Sequence, residues 1–214
     1  MSKIVIVDTG SSNILSLKRA IEMFHDNVVI SEDSKTILSA YKIFFPGVGA
    51  FKKVMKNLYT KKLVETLIQI KEKNIPLFGI CLGLQLLFNE SEEFGLTKGL
   101  GLISGKVMKL PLNSLKKEKL KIPSIGWFNL KLNKEFVNTK FSKFIETIDE
   151  NKKFYFVHSY FVNPKDKQDI LATYSFGGNE IPAIISKNYL IGCQFHPEKS
   201  GDNGLGVLKN FCEI

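Results

Sequence analysis

The sequence predicts an α/β protein: a doubly wound, mostly parallel sheet with antiparallel strands added in the second half. Three observations carry this. Up to residue 90, short β-branched or aromatic runs alternate with helically spaced apolar stripes. From Leu102 onward, strand-like runs follow one another with few helices between them. The chain has 214 residues, 44% of them hydrophobic, enough for one domain with a sizeable core, expected to span residues 1–214.

Each element has its own signal. Lys3–Asp8 reads as a buried strand, bounded by the turn residues Thr9-Gly10-Ser11-Ser12-Asn13. Ile14, Leu15, Leu17, Ala20, Ile21 and Phe24 follow at helical spacing, with Ser12 or Asn13 placed to cap that helix. Asn27–Ile30 reads as a short strand and Lys42–Phe45 as another, ending at Pro46-Gly47-Val48-Gly49. Val54, Leu58, Leu63, Val64, Leu67 and Ile70 form a stripe that predicts one helix over 51–73. A strand is expected over 75–80 and a helix over 82–90. Later strands are expected over 102–110, 122–132, 153–162, 170–174, 181–186 and 189–194, and a closing helix over 204–212.

Composition excludes several functions. The net charge is +9, yet Arg19 is the only arginine and the lysines are scattered, densest at Lys116-Lys117-Glu118-Lys119-Leu120-Lys121. Nucleic-acid recognition leans on arginine, so a solvated lysine-rich surface is the expectation; attraction of an anionic substrate or an acidic partner is a second reading. No run approaches the ~20 apolar residues of a membrane span. The opening apolar run ends at Asp8, too short for a signal peptide. A cytoplasmic protein is expected. Cys81, Cys193 and Cys212 show neither CxxC nor Cys/His metal spacing, so neither a disulfide framework nor structural zinc is expected.

Three segments carry chemistry. Gly79-Ile80-Cys81-Leu82-Gly83 is a G-x-C-x-G run at a strand-to-helix corner, a nucleophile elbow with cysteine in the serine position. The corner needs small residues on either side because strand and helix approach closely. It lifts the sulfur above the sheet, the helix start favours a thiolate, and the Leu82 N–H points where an oxyanion would form. A buried cysteine between packing glycines would fit the same segment. Gln194-Phe195-His196-Pro197-Glu198 supplies a base and, across a stiff proline, a carboxylate to orient it. His25 reads as a surface residue and His158 as a packed histidine with a hydrogen-bonded ring. Pro46-Gly47-Val48-Gly49 lacks a phosphate-loop pattern; its glycines permit a peptide flip that would offer the Val48 N–H as a second oxyanion donor.

Taken together, these segments resemble class I glutamine amidotransferases. With Gly99-Leu100-Gly101-Leu102-Ile103, Gly126-Trp127 and Tyr155-Phe156-Val157-His158-Ser159-Tyr160, the chain looks like the glutaminase subunits of imidazole glycerol phosphate synthases along essentially its whole length. The resemblance implies a Cys81–His196–Glu198 triad that hydrolyses glutamine through a thioester, with Val48 and Leu82 N–H groups as the oxyanion hole. It implies glutamine contacts from Gly47, Gly49, Gln85, Ser159, Tyr160 and Glu93, with Glu92 the alternative to Glu93. It further implies a heterodimer with a (β/α)8-barrel cyclase subunit, Trp127, Tyr155 and Lys199 lying at that interface, and no cofactor. One segment departs from the common Pro-His-Met-Gly-Trp-Asn pattern: Pro123-Ser124-Ile125-Gly126-Trp127-Phe128-Asn129 has Ser124 in place of the histidine, and Phe128 displaces the asparagine. Both are expected on the partner-facing side. They keep open an alternative acceptor, a sugar-amidating enzyme of glycan modification. A cysteine peptidase of related fold and a non-catalytic binding module are the other competing readings.

Overall fold

The computed structural model describes residues 2–10, 14–111, 121–133, 135, 144, 145 and 148–214. The expected cap at Ser12 or Asn13 and the lysine run from 116 to 120 lie outside the described residues. The chain opens with β1 (Ile4–Val7), α1 (Ile14–Glu22), β2 (Val28–Ser31), α2 (Ser34–Leu38) and β3 (Lys42–Gly47). It continues with α3 (Phe51–Thr60), α4 (Leu63–Glu72), β4 (Leu77–Cys81) and α5 (Leu82–Leu86). Then come β5 (Phe88–Ser91), β6 (Thr97–Lys98), β7 (Ile103–Lys109), β8 (Ser124–Asn129), β9 (Lys131–Leu132), β10 (Lys153–His158) and β11 (Tyr160–Pro164). β12 (Ile170–Phe176), β13 (Asn179–Lys187), β14 (Leu190–Cys193) and α6 (Gly201–Glu213) close the fold.

The main sheet has eight strands in the order β2-β1-β3-β4-β14-β13-β12-β9. The first five are parallel; β13, β12 and β9 run antiparallel to their neighbours. β1 is buried along its whole length because helices cover both faces. Its side chains alternate: Ile4 and Ile6 pack on the α1 and α6 side, Val5 and Val7 on the α3 and α4 side. β3 and β4 repeat the division, with Phe44, Phe78 and Ile80 in the first core and Ile43, Phe45 and Leu77 in the second. Beside this sheet lie a pair, β10-β8, and a four-stranded sheet, β11-β7-β5-β6.

Four expectations need correction. The strand expected over 122–132 is divided at Leu130: β8 pairs with β10 and β9 with β12. The helix expected over 51–73 is two helices, broken at Lys62, whose φ of 55° is left-handed. The apolar stripe steps five residues from Leu58 to Leu63, which no continuous helical face accommodates. The helix expected over 82–90 ends at Leu86, and β5 begins at Phe88. The Leu86 and Leu87 carbonyls there accept from Leu100, Leu102 and Ile103 N–H groups, so the chain turns outward instead of adding a helical turn. The strand expected over 153–162 is divided at Ser159: β10 pairs with β8 and β11 with β7.

A buried lysine joins the two ends of the fold. Lys42 Nζ donates to the carbonyls of Phe211 (2.9 Å), Cys212 (2.8 Å) and Ile214 (2.6 Å), capping α6. A Lys42→Met protein should unfold in urea with about 2–3 kcal/mol less stability, since charged hydrogen bonds to orphan carbonyls are lost. An unchanged midpoint would show that the cap contributes nothing.

Candidate active site

The site forms at the carboxyl ends of β3, β4 and β14, where ligands collect in open parallel sheets. Cys81 sits at the corner between β4 and α5 with φ 53° and ψ −111°. A non-glycine residue held there stores roughly 1–3 kcal/mol of strain. The flanking glycines follow from close approach. A Cβ on Gly83 would lie 1.8 Å from the Phe45 carbonyl oxygen, and one on Gly79 would lie 2.9 Å from the Leu84 backbone. Gly47 pairs with Cys81 across the sheet, and a Cβ there would meet the Gly83 nitrogen at 2.8 Å.

His196 follows β14 and is pinned from three sides. Its N–H donates to the Tyr155 carbonyl (2.9 Å), and its own carbonyl accepts from Ser200 Oγ (2.7 Å). Pro197–Lys199 then forms a 3-10 turn that brings Glu198 back under the ring. Glu198 Oε1 lies 2.9 Å from His196 Nδ1, both side chains being almost fully buried. Cys81 lies close enough to the ring to raise its pKa, and both residues line one cavity. Three side chains from two distant segments therefore gather at one place, with the His196–Glu198 pair beside Cys81. Glu198 Oε2 is buried without a hydrogen-bond partner.

Burial opposes a charge on His196, but hydrogen bonds and charges of Cys81 and Glu198 outweigh it and raise its pKa to about 10. These partners favour the protonated ring. Because the folded value exceeds the ordinary ~6.5, its stabilising contribution is fully present below that pH and is lost as pH rises through about 10. Ring chemical shifts should report a His196 midpoint well above 8 in the intact protein and a clearly lower one in Cys81→Ala. An equal midpoint in both would contradict the pairing.

A cavity of about 340 Å³ opens over Cys81 and His196, within the size range of small-molecule sites. Val48, Gly49, Leu82, Gln85, Glu93, Ser159 and Tyr160 line it. Gly47 lies in β3, outside the lining. Glu93 also accepts from the Phe51 N–H (2.6 Å) at the start of α3, whereas Glu92 accepts from Lys109 N–H (2.6 Å) and does not line the cavity. His158 is packed as expected: Nδ1 lies 2.9 Å from the Tyr160 carbonyl and Nε2 2.8 Å from the Tyr174 hydroxyl. Since a carbonyl only accepts, Nδ1 carries the proton and Tyr174 donates to Nε2. Burial chiefly, with the His196 charge, depresses His158 to about 4 and keeps it neutral. His158 nevertheless also borders the cavity. His25, beyond the end of α1, accepts from the Asn27 N–H at Nδ1.

Beside the cavity, β8 and β10 form a half-open face. Trp127 is 52% exposed and stacks at a tilt on Tyr155, ring centroids 5.7 Å apart; Ile125 and Lys199 are exposed beside them. The expectation for Ser124 and Phe128 is overturned. Strand alternation turns them inward. Ser124 is buried 3.5 Å from the Tyr174 hydroxyl, and Phe128 packs on Phe156, Tyr174 and Phe176. The sequence departures thus repack the core and leave the outer face to Ile125, Trp127 and Asn129.

Two buried polar residues escaped the sequence reading. Gln194 Nε2 lies 3.6 Å from Cys81 Sγ, and Tyr174 anchors His158. A polar side chain closing the apolar run Leu190-Ile191-Gly192-Cys193 was the signal for Gln194; nothing local distinguishes Tyr174 from an ordinary core tyrosine. Among the described residues, no three His, Cys, Asp or Glu side chains cluster as metal ligands, and no helix is long and apolar enough to cross a membrane.

A family model described as "Glutamine amidotransferase class-I" matches residues 5–214. The fold is shared with solved structures: a glutamine amidotransferase at a TM-score of 0.70 and 15% identity (98% of this chain, 99% of that one), and PurLQS from Thermotoga maritima at 0.71 and 18% (99% and 98%). The chain belongs to the class I glutamine amidotransferases. It is 42% identical over 214 residues to imidazole glycerol phosphate synthase subunit HisH 1 of Methanococcus maripaludis, covering 99% of each chain. It is 40% identical over 209 residues to subunit HisH of Geobacillus sp. WCH70, covering 98% of this chain and 95% of that one. Within the class it therefore falls in the HisH family.

Proposed function

We propose that this chain, acting as one domain over residues 1–214, is the glutaminase subunit of an imidazole glycerol phosphate synthase in the cytoplasm. It hydrolyses glutamine to glutamate and ammonia, and the ammonia passes to a (β/α)8-barrel cyclase subunit held as a heterodimer. The Cys81 thiolate attacks the side-chain amide carbon. The resulting oxyanion is met by the Leu82 and Val48 N–H groups. His196 gives its proton to the departing ammonia, and the neutral ring then takes a proton from water, which attacks the thioester and frees Cys81. Glu198 holds the ring through Nδ1 and balances its charge. Gln85, Glu93, Ser159, Tyr160 and Gly49 hold the substrate's amino-acid end.

The observation that carries this reading is Cys81 and the Glu198-paired His196 lining one cavity sized for a single amino acid. A peptidase would require a cleft for an extended chain. The exposed Trp127–Tyr155 face beside the cavity supports a partner there. The test measures glutamate release from glutamine, alone and with the barrel subunit of histidine synthesis or with a sugar-amidating enzyme. Strong stimulation by the barrel alone is expected. Stimulation only by the sugar-amidating enzyme would reassign the acceptor.

A further inference from the structure

Gln194 has no place in the triad, yet it is fully buried and polar, one residue beyond β14. Its backbone is fixed by an N–H bond to the Ala183 carbonyl (2.9 Å). Its carboxamide sits in a directional chain. The Tyr160 carbonyl only accepts, so Gln85 must turn its nitrogen toward it; Nε2 donates there at 2.8 Å. The same nitrogen donates to Gln194 Oε1 at 3.0 Å. With its oxygen so engaged, Gln194 must present its nitrogen at the other end, where Cys81 Sγ lies 3.6 Å away. One backbone carbonyl thus sets the polarity of two side-chain amides. It aims an N–H at the nucleophilic sulfur and turns Gln85 Oε1 away from both engaged partners.

We propose that Gln194 is a positioning residue for the nucleophile: its buried carboxamide donates to the Cys81 sulfur, favours the thiolate, and holds Gln85 in its substrate-facing orientation. A donor stabilises an anion more than its neutral form, so the N–H contact stabilises negative charge on the sulfur. The other titratable groups around the sulfur are Glu198, Cys193 of β14 and His158 of β10, with Glu93 and Tyr160 across the cavity. None of them donates to the sulfur from the Gln194 side. The proposal rests on the glutaminase reading but is tested apart from it.

The test follows the rate of Cys81 alkylation by iodoacetamide against pH, with peptide mapping to separate Cys81 from Cys193 and Cys212. Gln194→Met keeps the volume and removes the donor. Its midpoint should rise by roughly one pH unit, and Gln194→Glu, with a carboxylate facing the sulfur, should rise further. With the barrel subunit present, kcat for glutamine should fall about tenfold in Gln194→Met, and KM should rise as Gln85 loses its orientation. An alkylation midpoint unchanged in Gln194→Met would overturn the proposal. Should that variant not fold, the unaltered protein decides: the Gln194 side-chain amide resonance should titrate with the Cys81 midpoint, and a flat resonance overturns the proposal. The alkylation profile needs no substrate, so failure of the glutaminase reading would appear separately, as absent glutamate release with a normal profile.

Discussion

A Cys81→Gly protein will be inactive and yet more stable than Cys81→Ala. Both variants lack the sulfur, so glutamate release in the presence of the barrel subunit should fall by about 10³-fold or more in each. They differ only in how the backbone tolerates the corner. At φ 53° and ψ −111° a Cβ is strained, and glycine is not. In urea, Cys81→Gly should exceed Cys81→Ala by roughly 1 kcal/mol, the reverse of the ordinary order at a helix start. Equal stabilities would mean the elbow carries no strain. Retained activity in either variant would remove the sulfur from the mechanism.

Gly83→Ala should be strongly damaging. Its Cβ would stand 1.8 Å from the Phe45 carbonyl oxygen and 2.8 Å from the carbonyl carbon, both backbone atoms that cannot rotate away. Either β3 or α5 must shift, and both border the nucleophile. We expect a loss of about 3 kcal/mol and glutaminase activity down by about 10²-fold, the effect of a misplacement near 1 Å. Gly206→Ala in α6 is the contrast: nothing lies within 4 Å of its Cβ, so the same methyl should add roughly 0.5–1 kcal/mol. Comparable destabilisation at both sites would show that Gly83 is not wedged.

The architecture was largely legible from the sequence because parallel strands buried on two faces read as continuous apolar runs, as in Ile4–Val7 and Leu77–Cys81. The elbow was legible for a related reason: glycines two residues to either side of a cysteine record a close approach of backbones. What stayed hidden depended on tertiary partners. The end of α5 is set by carbonyls that the 100–103 segment claims, and no local pattern shows that. The break at Lys62 does leave a local signal, the five-residue step of the stripe from Leu58 to Leu63. The inward turn of Ser124 and Phe128 needed strand alternation to be counted from Trp127. Gln194 needed the structure, because its function lies in a bond across the sheet to Cys81 and in one from Gln85.

On the proposed mechanism, Cys81 Sγ is the atom that attacks glutamine. The direct measurement is covalent labelling by an electrophilic diazoketone analogue of glutamine, followed by peptide mapping, with and without excess glutamine. One label per chain is expected, on Cys81, suppressed by glutamine and slowed by orders of magnitude in His196→Ala. A label on Cys193 or Cys212 that glutamine suppresses, or full glutaminase activity in a chain already labelled at Cys81, would contradict it.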